Sequence, residues 1–283
     1  MKTVLDGVIF QVGNKAGYID NCHPYSLAQA MGCYRYRVNP AVILDALYIT
    51  AQAVRDALDD VDDWGLSGLR PTQYSLDVAA DAAALSVLHA AGFSVMSEES
   101  GLTGGGDVIV VLDPVDGSTN CSRGIPWFAT SMCAVDADGP VAAVVVNQAT
   151  GERFDAVRGR GARRDGLSIS CSGVTDVSDA MIGLNGFPPA ASVWRQSRIL
   201  GAIALDLCAV ASGRLDGYID CCVDAHGSWD YLAGMLICHE AGAVVSDAFG
   251  RDLVTVEHAD RRTPIAGSSQ AVHDALLAHR LRE

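Results

Sequence analysis

Val108-Ile109-Val110-Val111-Leu112-Asp113-Pro114-Val115-Asp116-Gly117-Ser118-Thr119-Asn120 is an apolar run that ends abruptly in carboxylates. Val108 to Leu112 reads as a strand covered on both faces, because an unbroken apolar run leaves no polar face for water. It delivers the chain to Asp113 and Asp116, three residues apart, with Pro114 stiffening the turn. Two carboxylates held that close repel each other unless a cation lies between them. Carboxylate and backbone carbonyl oxygens are the donors that Mg²⁺ prefers. Gly117, Ser118 and Thr119 then offer N–H groups and hydroxyls where a helix can begin, a geometry suited to a phosphate. An ordinary Asx-type turn with a helix cap would produce the same string. Alone, it serves either reading.

Two more acidic mouths lie outward from this string. Glu98 and Glu99 close a short strand in Ser97-Glu98-Glu99-Ser100, and Asp230 opens a helix in Ser228-Trp229-Asp230. A solvated strand end and a carboxylate complementing a helix dipole explain each one singly. Three such mouths, two of them beside small polar residues, are what a polynuclear Mg²⁺ site needs.

The rest of the chain reads as blocks of strands flanked by helices. Asn39 caps and Pro40 starts a helix whose Leu44, Leu47, Tyr48, Ala51, Val54, Leu58 and Val61 recur every three or four residues. Asp59, Asp60, Asp62 and Asp63 crowd its end, and Gly65, Gly68 and Pro71 mark a loop. A second helix covers 75–91, with Gly92 placed to stop it. Strands are expected at 93–96, 108–112, 130–135, 141–147, 153–157, 167–171, 180–184, 217–222 and 243–246. Further helices are expected at 203–212, 229–241 and 271–281, and a Gly-rich turn at 102–106. This order points to layered α+β sheets rather than a regular βαβ alternation.

Composition narrows the function. The chain has 283 residues, enough for one large domain, and carries a formal charge of −14 from 20 Lys and Arg against 34 Asp and Glu. Such a surface repels nucleic acid, and a phosphorylated ligand would need counter-charge from bound cations. Nine cysteines, Cys22, Cys33, Cys121, Cys133, Cys171, Cys208, Cys221, Cys222 and Cys238, are scattered without a CxxC pair. They read as small buried residues of a reducing cytoplasm rather than disulfides or zinc ligands. Cys221 and Cys222 read as opposite faces of one strand, and His226 as an exposed or capping residue, the alternative being that His226 or Asp224 touches the substrate. No apolar run reaches membrane-spanning length, and no export signal opens the chain. The lysines, Lys2 and Lys15, both fall in residues 1–39, which also hold three of the six asparagines, Asn14, Asn21 and Asn39. That segment is expected to be a divergent extension, followed by a single domain at 40–283 with halves at about 40–165 and 166–283.

The three acidic strings, with Tyr231-Leu232-Ala233-Gly234 running on to Glu240-Ala241-Gly242 and with the turn Gly159-Arg160-Gly161-Ala162, resemble the signature motifs of the inositol monophosphatase family in order and spacing. The similarity runs from about residue 40 to the C-terminus. It implies a layered α-β-α-β-α sandwich of the inositol monophosphatase and fructose-1,6-bisphosphatase type. It also implies two to three Mg²⁺, with Glu98, Asp113 and the Val115 carbonyl at one ion and Asp113, Asp116 and Asp230 at a second. A third would lean on Glu98. Asp77 falls at the family's Thr-x-x-Asp aspartate, although Tyr74 stands where the threonine would be, and with Ser118 it would orient the attacking water. Gly117, Ser118 and Thr119 would cradle the phosphate, with Gly201, Ala202 and Asp220 on the substrate side.

The family's upstream lysine has only Arg70 near it here, and Asp220 is shorter than the family's acidic residue. The loop to Asp230 is about three residues longer. The implied activity is hydrolysis of a small phosphate monoester, lithium-sensitive, by a cytoplasmic homodimer. Inositol 1-phosphate is the first substrate to test. Fructose-1,6-bisphosphatase, histidinol-phosphatase and 3′-phosphoadenosine phosphatase activities are rivals on the same fold. A non-catalytic, ligand-binding regulatory protein is the rival of another class. A chain beginning at Asn39 is expected to fold and keep its activity, which expression of that truncation and a phosphate-release assay would check.

Overall fold

Asn39 and Pro40 open the first helix as their residue types require. Asn39 Oδ1 accepts the Ala41 N–H at 3.0 Å, and helix α1 runs Pro40–Asp59. Helix α2, Ser75–Ala90, buries Leu76, Ala80, Ala84 and Leu88, one residue per turn. The computed structural model describes residues 38–282 apart from Asp63, Pro71 and Thr72, and Val38 onward forms one compact unit. The extension expected at 1–39 lies outside the described residues up to residue 37, as do Cys22, Cys33, Asp63 and Pro71.

Strands β1 (Ser94–Ser97), β2 (Gly101–Thr103) and β3 (Ile109–Asp116) follow, and the chain then forms the short helix α3 (Ser118–Ser122). Strands β4 (Ala129–Asp136), β5 (Gly139–Asn147), β6 (Arg153–Val157), β7 (Ala162–Arg164) and β8 (Leu167–Ile169) complete a sheet in the order β2-β1-β3-β4-β5-β6-β7-β8. The Gly-rich turn expected at 102–106 is in part strand: Gly101 to Thr103 pair back onto β1. β3 runs on through the Asp-Pro-Val-Asp string, with its register on β4 shifting between Asp113 and Asp116. Pro114 cannot donate to a ladder, and such an irregularity is where a sheet tolerates it.

The second sheet contains β9 (Met181–Asn185), β10 (Gln196–Arg198), β11 (Gly217–Asp220), β12 (Val244–Asp247) and β13 (Pro264–Gly267) in the order β10-β9-β11-β13-β12. Strand β11 stops at Asp220, so Cys221 and Cys222 lie beyond it rather than on its two faces. Helices α4 (Ile203–Ala211), α5 (Ser228–Glu240) and α6 (Gln270–Arg280) accompany these strands.

Side-chain burial orders the layers. Val110 and Leu112 of β3 join α1 and α2 in one core, while Val111 faces α4 and α5 in another, the two-residue alternation of a strand. Tyr218, Val245 and Ala266 of the second sheet enter that same central core, and Ile182 and Ile219 meet Val272 and Leu276 of α6 on the far side. The result is α-β-α-β-α. All nine residues of α4 are buried, as a helix apolar on every side must be when it lies between two sheets. A Cβ on Gly234 of α5 would stand 2.6 Å from Leu207 Cβ of α4. Glycine lets the two helices approach.

Two carboxylates tie loops to this frame. Glu240, at the end of α5, accepts the Gly159 N–H on Oε1 and the Gly161 N–H on Oε2, each at 2.7 Å. The Gly-x-Gly turn and the Glu-Ala-Gly string therefore meet in one clasp. Asp247 accepts the N–H groups of Phe249, Arg251 and Thr263 and two guanidinium bonds from Arg251. Burial would raise its pKa, but the Arg251 side chain and those N–H groups outweigh it and hold it at about 2. An unfolded aspartate titrates near 4. A folded value depressed below the unfolded one contributes stability that is complete above about pH 4 and lost as pH falls toward 2. The stability advantage of the wild type over Asp247→Asn, from urea unfolding, is therefore expected to be full at pH 6 and to shrink as pH drops below 4.

Candidate active site

Strand pairing brings the acidic strings together. β1 and β3 run parallel with Ser97 opposite Leu112, so the residues that follow, Glu98 just past β1 and Asp113 within β3, stand side by side. Ser97 Oγ donates to Asp81 Oδ1 of α2 at 2.5 Å and accepts the Glu99 N–H, which fixes the start of the acidic turn. Asp230 enters from the first turn of α5. One carboxylate oxygen from each of Glu98, Asp113 and Asp230 lies within 4.8 Å of the other two.

The chain fastens one oxygen of each neighbouring aspartate with a backbone N–H. Asp113 Oδ1 accepts from Val115 at 2.9 Å, Asp116 Oδ2 from Ala204 at 2.7 Å, and Asp230 Oδ2 from Gly227 at 2.8 Å. Asp116 thereby caps α4, and it stands outside the group of three converging oxygens. Val115 is buried in β3 two residues from Asp113.

Crowding and burial shape the protonation of these groups. Burial, then Asp230 and Glu99, push Glu98 up to about 8. Asp113 is pushed well above the carboxylate range by burial and Glu98, and Asp116 by burial and Asp230. Buried like charges favour the neutral form; a cation among them reverses that preference. The donor set is all oxygen and anionic, which fits a hard divalent cation.

Beside this cluster, Arg70, Gln73, Asp77, Glu98, Glu99, Ser118 and Thr119 line a pocket of about 250 Å³. Asp77 Oδ2 accepts the Tyr74 N–H at 2.9 Å, so the Tyr74 position contributes its backbone. Burial raises Asp77 to about 7 against that hydrogen bond. Arg70 and Gln73 both bond Glu99, and Arg70 also donates to the Glu99 carbonyl at 2.7 Å.

Gly117 has φ +85°, and a Cβ there would meet Ala202 Cβ at 3.0 Å, Trp127 O at 3.0 Å and Gly201 O at 3.2 Å. Asn120 Nδ2 draws the same loops together by donating to Trp127 O and Leu200 O, both at 2.8 Å. Gly201 and Ala202 thus pack behind the Gly117 turn.

Asp220 is fully buried, with Oδ1 accepting from Asn185 Nδ2 at 3.0 Å and Cys222 N–H at 2.9 Å. His226 corrects the expectation of an exposed or capping residue: its side chain is only 14% exposed and lies between Asp220 and Asp230. Its one visible sequence signal was its place four residues before Asp230. His258 is a second residue that sequence patterns did not single out. Its Nε2 lies 3.0 Å from the Glu98 carbonyl and its ring packs on Trp229, 4.8 Å between centroids.

The arrangement resembles proteins already known. Residues 71–283 match the inositol monophosphatase family. A fructose-1,6-bisphosphatase/inositol-1-monophosphatase of Archaeoglobus fulgidus is 34% identical over 239 residues, covering 81% of this chain and 90% of that one. A Nus factor SuhB of Pasteurella multocida is 32% identical over 200 residues, 62% of this chain and 72% of that one. A Pyrococcus horikoshii structure, described as having similarities for inositol-1 monophosphatase, superposes with TM-score 0.74 at 25% identity, covering 86% of this chain and 98% of that one.

Gly117→Ala forces a left-handed backbone on a residue that disfavours it and pushes the Gly201–Ala202 backbone away. Phosphate release is expected to fall roughly 100-fold with a smaller change in thermal stability, read from steady-state rates and a melting curve.

Proposed function

The chain belongs to the inositol monophosphatase family, and from that premise we propose that it is a Mg²⁺-dependent phosphatase acting on a small polyol or sugar phosphate. The convergence of Glu98, Asp113 and Asp230 oxygens within 4.8 Å carries this reading. A phosphoric monoester hydrolase of this family needs those carboxylates to gather counter-charge beside the substrate. When bound, Mg²⁺ neutralises phosphate oxygens, acidifies water and stabilises the leaving alkoxide.

The chain's own residues supply position and proton transfer. A helix start leaves its first N–H groups without intrahelical partners, so Ser118 and Thr119 at the head of α3 present donors to a phosphate in the adjoining pocket. Asp77 Oδ2 is held by the Tyr74 N–H, which leaves Oδ1 to accept the proton of the attacking water. The Ser118 hydroxyl, in the same pocket, orients that water. Val115 and Asp116 complete the proposed ligand set around Asp113. Gly201 and Ala202 act through their packing against Gly117, and Asp220 acts from behind the site because it is buried.

A monophosphate is favoured over a bisphosphate. Among the described residues lining the pocket, Arg70 is the cationic side chain, and Glu99 already engages it. Lithium inhibition, a cytosolic location and a homodimer belong to the same proposal. Among the described residues, no helix is long and apolar enough to cross a membrane. A regulatory protein that keeps the site without turnover is the second reading, drawn from the relative named as a Nus factor.

Phosphate release from inositol 1-phosphate, fructose 1,6-bisphosphate, histidinol phosphate and 3′-phosphoadenosine 5′-phosphate is the test, run with Mg²⁺, with EDTA and with Li⁺. Mg²⁺-dependent, Li⁺-sensitive release, fastest on inositol 1-phosphate, is expected. Faster release from the bisphosphate would overturn the substrate preference, and cation binding without release would favour the regulatory reading. Asp113→Asn is expected to abolish release. It should leave cation-free stability little changed, because burial already favours the neutral form of Asp113 there and the amide oxygen can still accept the Val115 N–H.

A further inference from the structure

The loop between β11 and α5 holds a buried chain of polar groups that the proposed reaction does not itself use. It begins at Asp220, at the end of β11, whose side chain is fully buried. Asp220 Oδ1 has its two donors, but Oδ2 has no hydrogen-bond partner. A buried carboxylate oxygen left in that state is costly unless a cation or donor faces it. The group that faces it is His226, whose Nε2 stands 3.6 Å away. Tyr218 Oη and Asn185 Nδ2 lie 3.4 and 3.3 Å from the same nitrogen.

The other ring nitrogen points along the chain of groups toward the cation cluster. His226 Nδ1 lies 3.4 Å from Asp230 Oδ2, the oxygen that also accepts the Gly227 N–H. Both contacts fall on one oxygen, Oδ2, while the Asp230 carboxylate also converges with those of Glu98 and Asp113. The imidazole itself is anchored by its backbone: His226 N–H donates to Arg262 O at 3.3 Å and His226 O accepts from Arg262 N–H at 2.8 Å. The ring is thus fixed by main-chain bonds below and by polar groups at both nitrogens.

We infer that His226 is a positioning residue that holds Asp230 in its ligating orientation and ties it, through Asp220 and Asn185, to the ends of β11 and β9. The inference rests on the reading of Glu98, Asp113 and Asp230 as cation ligands. Without a cation, repulsion from Glu98 and Asp113 drives Asp230 away from the cluster. A donor on Asp230 Oδ2 resists that rotation, and groups behind a metal ligand commonly govern affinity in this way. The role needs a proton on Nδ1 toward Asp230; the tie to Asp220 runs through the Asn185 amide, whose Nδ2 lies 3.3 Å from Nε2 and 3.0 Å from Asp220 Oδ1.

Mn²⁺ binding to the full chain, followed by the electron paramagnetic resonance signal of the free ion, tests this without relying on turnover. His226→Ala is expected to weaken Mn²⁺ affinity by about 10-fold or more while circular dichroism shows the fold retained. His226→Asn, whose amide nitrogen replaces Nδ1, is expected to restore most of the affinity. His226→Gln, which extends its amide toward Asp220 instead, is expected to restore less. Wild-type affinity in His226→Ala overturns the inference. Should that variant not fold, equal affinity in the Asn and Gln variants overturns it. A wild type that binds Mn²⁺ beside an unaffected His226→Ala removes the positioning role alone. A wild type that binds no Mn²⁺ removes the cation reading with it.

Discussion

Carboxylate repulsion is the constraint on which this structure turns. Glu98, Asp113, Asp116 and Asp230 crowd one site in which Asp113 is only 2% exposed, and burial disfavours the charges of Glu98, Asp113 and Asp116. The fold tolerates the crowding because each aspartate spends one oxygen on a backbone N–H, from Val115, Ala204 or Gly227. Those three bonds orient the carboxylates as well as partly satisfying them. The remaining charge is what a hard cation would neutralise.

The same bonds couple the site to the core. Asp116 caps α4 through Ala204, and Asp230 sits in the first turn of α5. These two helices form the central layer between the sheets and are pressed together at Gly234. A shift of either helix would therefore move a carboxylate. Glu240 fastens the far end of α5 to the Gly159–Gly161 turn of the first sheet. The helix that presents Asp230 is thus held near its start by the Ser131 hydroxyl on the Trp229 carbonyl and at its far end by the clasp. Preorganisation of this kind is how a scaffold keeps ligands within a fraction of an ångström of their working geometry.

Loop contacts close the site from the side of the second sheet. His258 reaches the Glu98 carbonyl and packs on Trp229, while the Arg261 guanidinium lies 4.8 Å from the same indole. Trp229 in turn accepts the Ser131 hydroxyl of β4 on its carbonyl at 3.1 Å. The residue beside Asp230 therefore serves as a hub joining both sheets. On the opposite side, Arg70 and Gln73 bridge to Glu99, so the pocket mouth is drawn by charge as well as shape.

Long periodic segments and strings of special residues were legible in the amino-acid order. α1 with its Asn39-Pro40 start, α2 with its Gly92 stop, and β3 with its acidic end all follow from local rules of capping, periodicity and burial. The layered architecture and the family were legible through the acidic strings jointly. β10 is polar throughout and β13 is four residues opened by proline, so neither carries a period that marks a strand; pairing with neighbours makes them strands. Glu240 looked like part of a motif, and only its approach to Gly159 and Gly161 reveals a clasp. His226 looked like a loop residue, and only the return of its loop places it between Asp220 and Asp230. Local chemistry is written residue by residue, whereas a contact between residues distant in the chain depends on how every intervening element packs. The sequence by itself determined the long helices, the apolar strands, the acidic strings and the chemistry they can support; the tertiary structure decided the short pairing-dependent strands and which side chains meet, because both are settled by packing and not by order.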